Sequence, residues 1–163
     1  AEIGHTAVWV DDGAGDWYPV ILEEAASGWG LEKRARQELK RGGRKSLLAG
    51  AVDPITARQI GEAAARNDEV ARAVLSTAIQ CLAEAICNVI ALLCPRRIVI
   101  GGGVSLLGEK ALFEPLRHMA AGRTFKPFAG LTDIVSAALG EEVVVHGAIA
   151  LARRKLGPRE DGG

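Results

Sequence analysis

The chain has 163 residues, 48% of them hydrophobic, and its 20 lysine and arginine side chains balance 20 aspartates and glutamates. This length suits one domain with a sizeable core. Balanced charge disfavours nucleic acid and anionic membranes as partners of this segment. The sequence contains no uncharged run of about 18 residues, so we expect no membrane span. It also shows no basic segment followed by an apolar one, so no secretory signal is predicted.

The first predicted elements are a strand and a long helix. Residues 3–10, IGHTAVWV, are rich in β-branched and aromatic side chains and predict a strand. The glycines and aspartates of residues 11–16 predict a loop. Apolar side chains then recur every four residues, which predicts a helix over 20–41 that ends at Gly42.

The middle of the chain predicts two further helices. Thr56 and Gln59 form a capping-box pattern at the start of the first. The second runs from about Asp68 to Cys94, where apolar side chains step by threes and fours, and Pro95 stops it. Its last turns are apolar nearly all round, so we expect them to be buried on several sides.

The last third alternates strands and helices. Strands are predicted at 96–100 and 133–138, and helices at 109–121 and 146–156, before a polar tail at 157–163. The whole order predicts an α/β fold. Three strands are few for so many helices, since a sheet commonly has about five or six strands, which suggests that further strands precede this segment.

Cys81, Cys87 and Cys94 all lie in one apolar stretch. An odd number of cysteines without extracellular signals predicts reduced thiols and a cytoplasmic location. Their spacing offers no metal-ligand geometry, so we expect small core residues.

The stretch RRIVIGGGVS carries the clearest functional pattern. A predicted buried strand runs into Gly101, Gly102 and Gly103, where backbone can approach a ligand because no Cβ intervenes. It is not the dinucleotide fingerprint, since Leu106 stands where the third glycine belongs, and not a P-loop, since Glu109 replaces its lysine. A tight turn without a ligand and a nucleotide site both remain open.

Glu2, His5, Glu23 and Glu24 form a second candidate group. Residues three apart in a regular strand face opposite sides, and a bulge at Gly4 would bring Glu2 and His5 to one side. Carboxylates and an imidazole suit sugar hydroxyls, because they accept and donate strong hydrogen bonds. The alternative is a solvated strand start followed by acids at a helix amino terminus.

Together these stretches resemble the ROK family of sugar kinases and repressors, within the actin-like ATPase superfamily. The matching motifs cover nearly the whole chain: EIGHT at 2–6, LEEAASGWGLEKRA at 22–35, NVIALLCPRRIVIGGGVS at 88–105 and IVSAALGEEVVVHGAIALA at 134–152. The resemblance implies a partial ribonuclease H-like (actin-like ATPase) lobe, with helices packed around a small sheet. Residues 1–156 would be the carboxyl-terminal lobe, and 157–163 a polar tail.

The resemblance also implies residue roles. Glu2, His5 and Glu23 would contact sugar hydroxyls, and Gly101, Gly102 and Gly103 would approach the adenosine and α-phosphate of ATP. The reaction would transfer the γ-phosphoryl group of ATP to a hydroxyl of a glucose-like hexose, with Mg²⁺ on the phosphates. Such transfer depends mainly on positioning and charge neutralisation.

The first departure from the family concerns zinc. Many members hold zinc with the EIGH histidine and three cysteines in a Cys-x-Cys-Gly-x-x-Gly-Cys run, but residues 14–21 here contain no cysteine. Zinc takes about four ligands, and only His5 and Asp16 remain. We therefore expect no structural zinc and no metal site, with Trp17 and Tyr18 replacing the metal by packing.

The second departure concerns catalysis. The family's catalytic aspartate and Asp-x-Gly-x-Thr phosphate loop lie upstream of EIGHT, so we expect no catalytic residue in this chain, and no phosphorylation by it alone. The parent protein is expected to be a hexose kinase, and this lobe to form a homodimer. The alternatives are a sugar-responsive ROK-type transcriptional regulator and a non-catalytic ligand-binding half-domain.

Overall fold

The computed structural model describes residues 2–11, 15–50 and 54–156, with only the backbone of Glu141 and Leu156; the predicted tail at 157–163 lies outside the described residues. The strands and helices in chain order are β1 Ala7–Asp11, β2 Trp17–Ile21, α1 Leu22–Ala26, α2 Gly28–Arg41, α3 Ala57–Ala65, α4 Glu69–Leu93, β3 Arg97–Ile100, α5 Glu114–Arg123, β4 Asp133–Ser136 and α6 Val143–Leu156. Short 3-10 turns at Ile3–His5 and Gly103–Leu107 matter for the site below.

The described strands form two separate pairs. β1 and β2 are antiparallel, with Trp9 opposite Pro19, whereas β3 and β4 are parallel, with Arg97 opposite Asp133. The predicted α/β class is confirmed, but β2 was not predicted and the helix expected from residue 20 begins at Leu22 instead. The reason is Pro19, which has no N–H to donate to a neighbouring strand and therefore argues against a strand. Proline is tolerated in an edge strand, and β2 has only one partner strand in the described chain.

Helix α4 forms the centre of the fold. It packs against α1, α2, α3, α5 and β1, and its buried residues run from Val70 to Ile90. The last turn, which the sequence predicted to be buried on several sides, is exposed instead, with Leu92 82% and Leu93 74% exposed, because the described chain does not cover that end. The Asp68 side chain caps its start by accepting a hydrogen bond from the Ala71 N–H at 2.9 Å. The helix ends at Cys94, whose backbone is left-handed with φ of 42°, directly before Pro95. Both predicted ends are therefore confirmed to within a residue.

Length and composition alone would also allow α4 to cross a membrane, with a mean hydropathy of 1.6 over its most apolar stretch. No span was expected from the sequence, because no stretch of about 18 residues is free of charge. Helix α4 qualifies here because up to two charged residues are allowed within such a stretch. Half of that stretch is buried inside the fold, and core helices commonly meet the same criterion.

The predicted helix over 20–41 is broken at Ser27. The Ser27 backbone is extended, with φ of −82° and ψ of 166°, and its Oγ accepts a hydrogen bond from the Gly30 N–H at 3.1 Å. A Cβ added at Gly30 would lie 2.2 Å from the Glu24 carbonyl oxygen. The break therefore depends on a serine cap and on a glycine that lets the chain turn tightly.

Candidate functional site

An open cleft of about 450 Å³ lies between the start of the chain, α1 and the end of β3. Glu2, His5 and Glu23, which the resemblance assigned to sugar, all line it, and so does Gly101. The two motifs that stand about a hundred residues apart in sequence thus meet in one cleft.

The floor of this cleft is apolar. Leu82 comes from α4, and Ile100 and Val104 flank the glycines. Leu22 of α1 completes this surface. An apolar floor beneath a few polar groups is the usual composition of a small-molecule site.

Glu2 and His5 reach the cleft through a turn and not through a bulged strand. Residues Ile3–His5 form a 3-10 turn, closed by the Thr6 N–H donating to the Ile3 carbonyl at 3.0 Å. The strand predicted from residue 3 therefore starts later, at Ala7, and the expected bulge at Gly4 is wrong. Glu2 and His5 are three positions apart, and side chains with this spacing lie on the same side of a 3-10 turn, because such a helix has about three residues per turn.

Glu23 is held against this turn by the backbone. The Leu22 N–H donates to the Thr6 carbonyl at 2.9 Å, so α1 begins where the turn and β1 meet. A Cβ added at Gly4 would lie 3.6 Å from Glu23 Cβ and 3.7 Å from Glu2 Oε1. Gly4 therefore lies beside both glutamates, and the room around it would also accommodate a Cβ in ordinary contact.

The candidate side chains are available to a ligand. Glu2, His5 and Glu23 are exposed, and within the described residues their side chains make no hydrogen bond or ion pair. Glu24 differs, because it forms an ion pair with Lys33 and does not line the cleft. The structure thus separates two adjacent glutamates, of which the resemblance to the family had assigned a sugar contact to Glu23 alone.

The glycines after β3 differ in what they require. Gly101 lines the cleft, and a Cβ there would lie 3.4 Å from Ala137 Cβ. Gly102 has a φ of 74°, which favours glycine, and its carbonyl accepts hydrogen bonds from the Ser105 N–H and hydroxyl at 3.0 and 2.7 Å. A Cβ at Gly103 would meet nothing within 4 Å. Neither space within the described residues nor a positive φ demands glycine at 103, and its contact with a nucleotide stays a prediction.

The expected packing substitute for zinc is wrong. The side chains of Trp17 and Tyr18 are 52% and 39% exposed, so they do not fill a vacated metal site inside the described chain. The described residues contain no group of three or more His, Cys, Asp or Glu side chains that could hold a metal ion. The absence of structural zinc remains a prediction.

The cysteines lie away from this chemistry. All three are free thiols, and Cys81 is buried while the other two are half-buried. Burial raises the pKa of Cys81 to about 11, which makes it an unreactive core residue as predicted.

Sequence reasoning missed one polar residue of the cleft. Ser27 lines it between Glu23 and α2. The resemblance to the family marked Ser27 as the serine of a helix start, but it assigned the sugar contact in that motif to Glu23 alone.

Among known proteins, this fold is that of the actin-like ATPases. A ROK family glucokinase from Streptomyces griseus, solved in complex with glucose and AMPPNP, is similar with a TM-score of 0.73 and 28% identity, over 94% of this chain and 51% of that chain. The ROK family model matches residues 1–155, and this chain belongs to the ROK family.

Two further relatives show the range of that family. A glucokinase from Aeropyrum pernix is 32% identical over 155 residues, 93% of this chain and 44% of that protein. A ROK family transcriptional regulator, described as a homolog of the E. coli MLC protein, is similar with a TM-score of 0.65 and 25% identity, over 83% of this chain and 34% of that one. The chain spans 43–50% of the length of the curated glucokinases it matches.

Proposed function

We propose that this chain forms the carboxyl-terminal half of an ATP-dependent hexose kinase with a glucose-like substrate. The observation that carries the proposal is the convergence of Glu2, His5 and Glu23 beside Gly101 in one cleft. The curated relatives of this chain named glucokinase, and the similar structure that holds glucose and AMPPNP, support it.

The polar side of the cleft suits a sugar. Glu2 and Glu23 accept hydrogen bonds from hydroxyl groups, and His5 both donates and accepts. The apolar floor gives the carbon-bound hydrogens of a sugar ring a surface to pack against. Because the side chains are exposed here, we propose that another wall encloses the sugar and that the relatives' additional length supplies it.

Gly101, Gly102 and Gly103 would hold the nucleotide. ATP, with Mg²⁺ on its phosphates, would supply the γ-phosphoryl group that the sugar hydroxyl receives. The chain's own contribution is positioning, since its glycines leave the backbone accessible beside the cleft. We propose that the general base lies outside this chain, so that residues 1–163 alone do not phosphorylate sugar.

The alternatives stay within the same family. The structural similarity to a ROK regulator favours a sugar-responsive regulator as the second candidate, and a non-catalytic ligand-binding half-domain is the third. A homodimer and a cytoplasmic location are part of our proposal, as is the lack of membrane and nucleic-acid partners for this segment.

The test is a coupled kinase assay on the complete protein that carries this segment. We expect turnover with glucose and ATP, and a loss of about tenfold to hundredfold in kcat/KM for Glu23→Gln, because a charged hydrogen bond to the sugar is removed. Glu24→Gln is the matched control, since Glu24 pairs with Lys33 outside the cleft, and it should change kcat/KM little. No turnover with glucose, mannose or N-acetylated hexoses would overturn the kinase proposal.

A further inference from the structure

We infer that Ser27 is an additional sugar-contacting residue of this cleft and helps to determine which hexose it accepts, an inference that rests on the proposed function. The cleft is lined by four described side chains with hydrogen-bonding groups. Three of them, Glu2, His5 and Glu23, already have a proposed role, and Ser27 is the fourth.

The hydrogen-bond inventory of Ser27 leaves its proton unused. A serine hydroxyl has one proton to donate and two lone pairs that accept. Its Oγ accepts the Gly30 N–H at 3.1 Å, and within the described residues its hydroxyl donates to no partner. Ser27 therefore offers a donor to whatever occupies the cleft.

The oxygen that carries this proton is also held in place, while the proton itself can rotate toward a ligand. The capping bond to Gly30 fixes the Ser27 side chain. Gly30 itself cannot shift readily, because it packs directly against the Glu24 carbonyl. A polar group that is positioned before the ligand arrives loses little conformational entropy on binding, which favours selectivity.

Ser27 complements its neighbours chemically. The carboxylates of Glu2 and Glu23 accept hydrogen bonds only, whereas each sugar hydroxyl also has lone pairs that need donors. Glu23 and Ser27 are four residues apart, and the Ser27 N–H donates to the Glu23 carbonyl at 3.0 Å, as in a continuing helical turn. Both side chains line the cleft, which therefore offers a sugar an acceptor and a donor.

This pair can distinguish sugars. A hydroxyl that donates to Glu23 and accepts from Ser27, or two adjacent hydroxyls that do so separately, satisfies both groups. A sugar that lacks or inverts that hydroxyl leaves one of them unpaired, which is the strongest way for a site to reject a close analogue.

The test compares Ser27→Gly and Ser27→Thr in the complete protein. Glycine is tolerated at a helix start at a cost of only a few tenths of a kcal/mol relative to serine, so Ser27→Gly removes the hydroxyl and largely keeps α2. Threonine keeps both the cap and the donor. We expect Ser27→Gly to raise KM for glucose about fivefold to tenfold with little change in KM for ATP, and Ser27→Thr to stay near the wild-type value.

Monodeoxy glucose analogues provide the readout that a purely structural role would not change. For the analogue that lacks the hydroxyl bound by Ser27, wild type and Ser27→Gly should have the same kcat/KM, whereas the other analogues should keep the fivefold to tenfold difference. An equal effect of Ser27→Gly on every analogue, or no effect on any, would overturn the inference.

Equilibrium binding of glucose, followed by calorimetry on the same variants, separates this inference from the proposed function. Glucose binding without turnover would overturn the kinase proposal, and the binding constants of Ser27→Gly and Ser27→Thr would then decide the role of Ser27. An unchanged glucose affinity for Ser27→Gly would overturn that role. Failure of the wild-type protein to bind any hexose would overturn both.

Discussion

Helices α4 and α6 are both rich in apolar residues, but they have opposite environments. Ile86 of α4 is 4% exposed, whereas Ile149 of α6 is 45% exposed. Other helices and a strand surround α4, while α6 mainly contacts the turn just before it. The comparison shows that apolar composition makes burial favourable but does not provide it, because a second surface must be present to cover the helix.

The strand pairs repeat this contrast. Val8 and Val10 of β1 are buried, whereas Val99 of β3 is well exposed. Parallel strands such as β3 and β4 are ordinarily covered on both faces. The cleft lies between the well-packed region around α4 and the more exposed β3–β4 pair, since Leu82 belongs to α4 and Gly101 follows β3.

The largest expected effect tests this contrast with one substitution at two positions. Ile86→Ala should lower the free energy of unfolding by about 2–5 kcal/mol, because it leaves a cavity in the core. Ile149→Ala should change it by about 0.5 kcal/mol or less, as expected at a surface position. Chemical denaturation of both variants measures the difference. Similar losses for the two variants would mean that α6 is covered in solution.

The next effect compares two helical glycines. Gly30→Ala should destabilise the chain by about 1–3 kcal/mol, because the new methyl group would meet the Glu24 carbonyl. Gly147→Ala on α6 should stabilise it by about 0.5–1 kcal/mol, since nothing lies within 4 Å of the added Cβ and alanine favours a helix. Thermal melting of the two variants checks the opposite signs, and a stabilising Gly30→Ala would refute the described break at Ser27.

The smallest effect depends on pH. Burial raises the pKa of Asp68, but hydrogen bonds from the Ala71 and Leu47 N–H groups and from Ser46 outweigh it, so the pKa lies below its ordinary value of 3.8. The folded state therefore favours the charged carboxylate, and the stability that this provides is present above about pH 4 and lost as pH falls through the lowered pKa.

Asp68→Asn should accordingly cost about 1 kcal/mol at neutral pH and progressively less below pH 4. Urea denaturation between pH 3 and pH 7 measures the trend. Asp133→Asn is the control, because Asp133 lies on the exposed strand β4 and pairs with Arg97 at the surface, where such pairs contribute little. A loss for Asp68→Asn that does not vary with pH would contradict the assignment.

Much of the fold could be predicted from local patterns. The capping box of Thr56 and Gln59 is present at the start of α3, and α2 ends at Gly42 with a φ of 73°. These predictions held because caps and glycine turns are determined within a few residues. Strand β2 was missed because proline locally argues against a strand. Only the pairing of β2 with β1, which places Pro19 opposite Trp9, shows that this segment is one.

The candidate site was predictable in its members but not in its geometry. The resemblance to the family singled out Glu2, His5 and Glu23, and the cleft brings all three together. The turn that carries Glu2 and His5, the pairing of Glu24 with Lys33 and the place of Ser27 all depend on contacts between segments. A single local pattern does not contain that information.

The sequence by itself determined where α3 and α4 begin, where α2 and α4 end, and which family this chain resembles, because capping, proline and glycine act over a few residues. Only the tertiary structure decided which apolar surfaces are buried and which polar side chains share the cleft. Burial requires a partner surface, and among the described residues α4 has one along most of its length whereas α6 remains exposed. The cleft likewise exists only because segments about eighty residues apart in the chain, Glu23 and Gly101, meet in space.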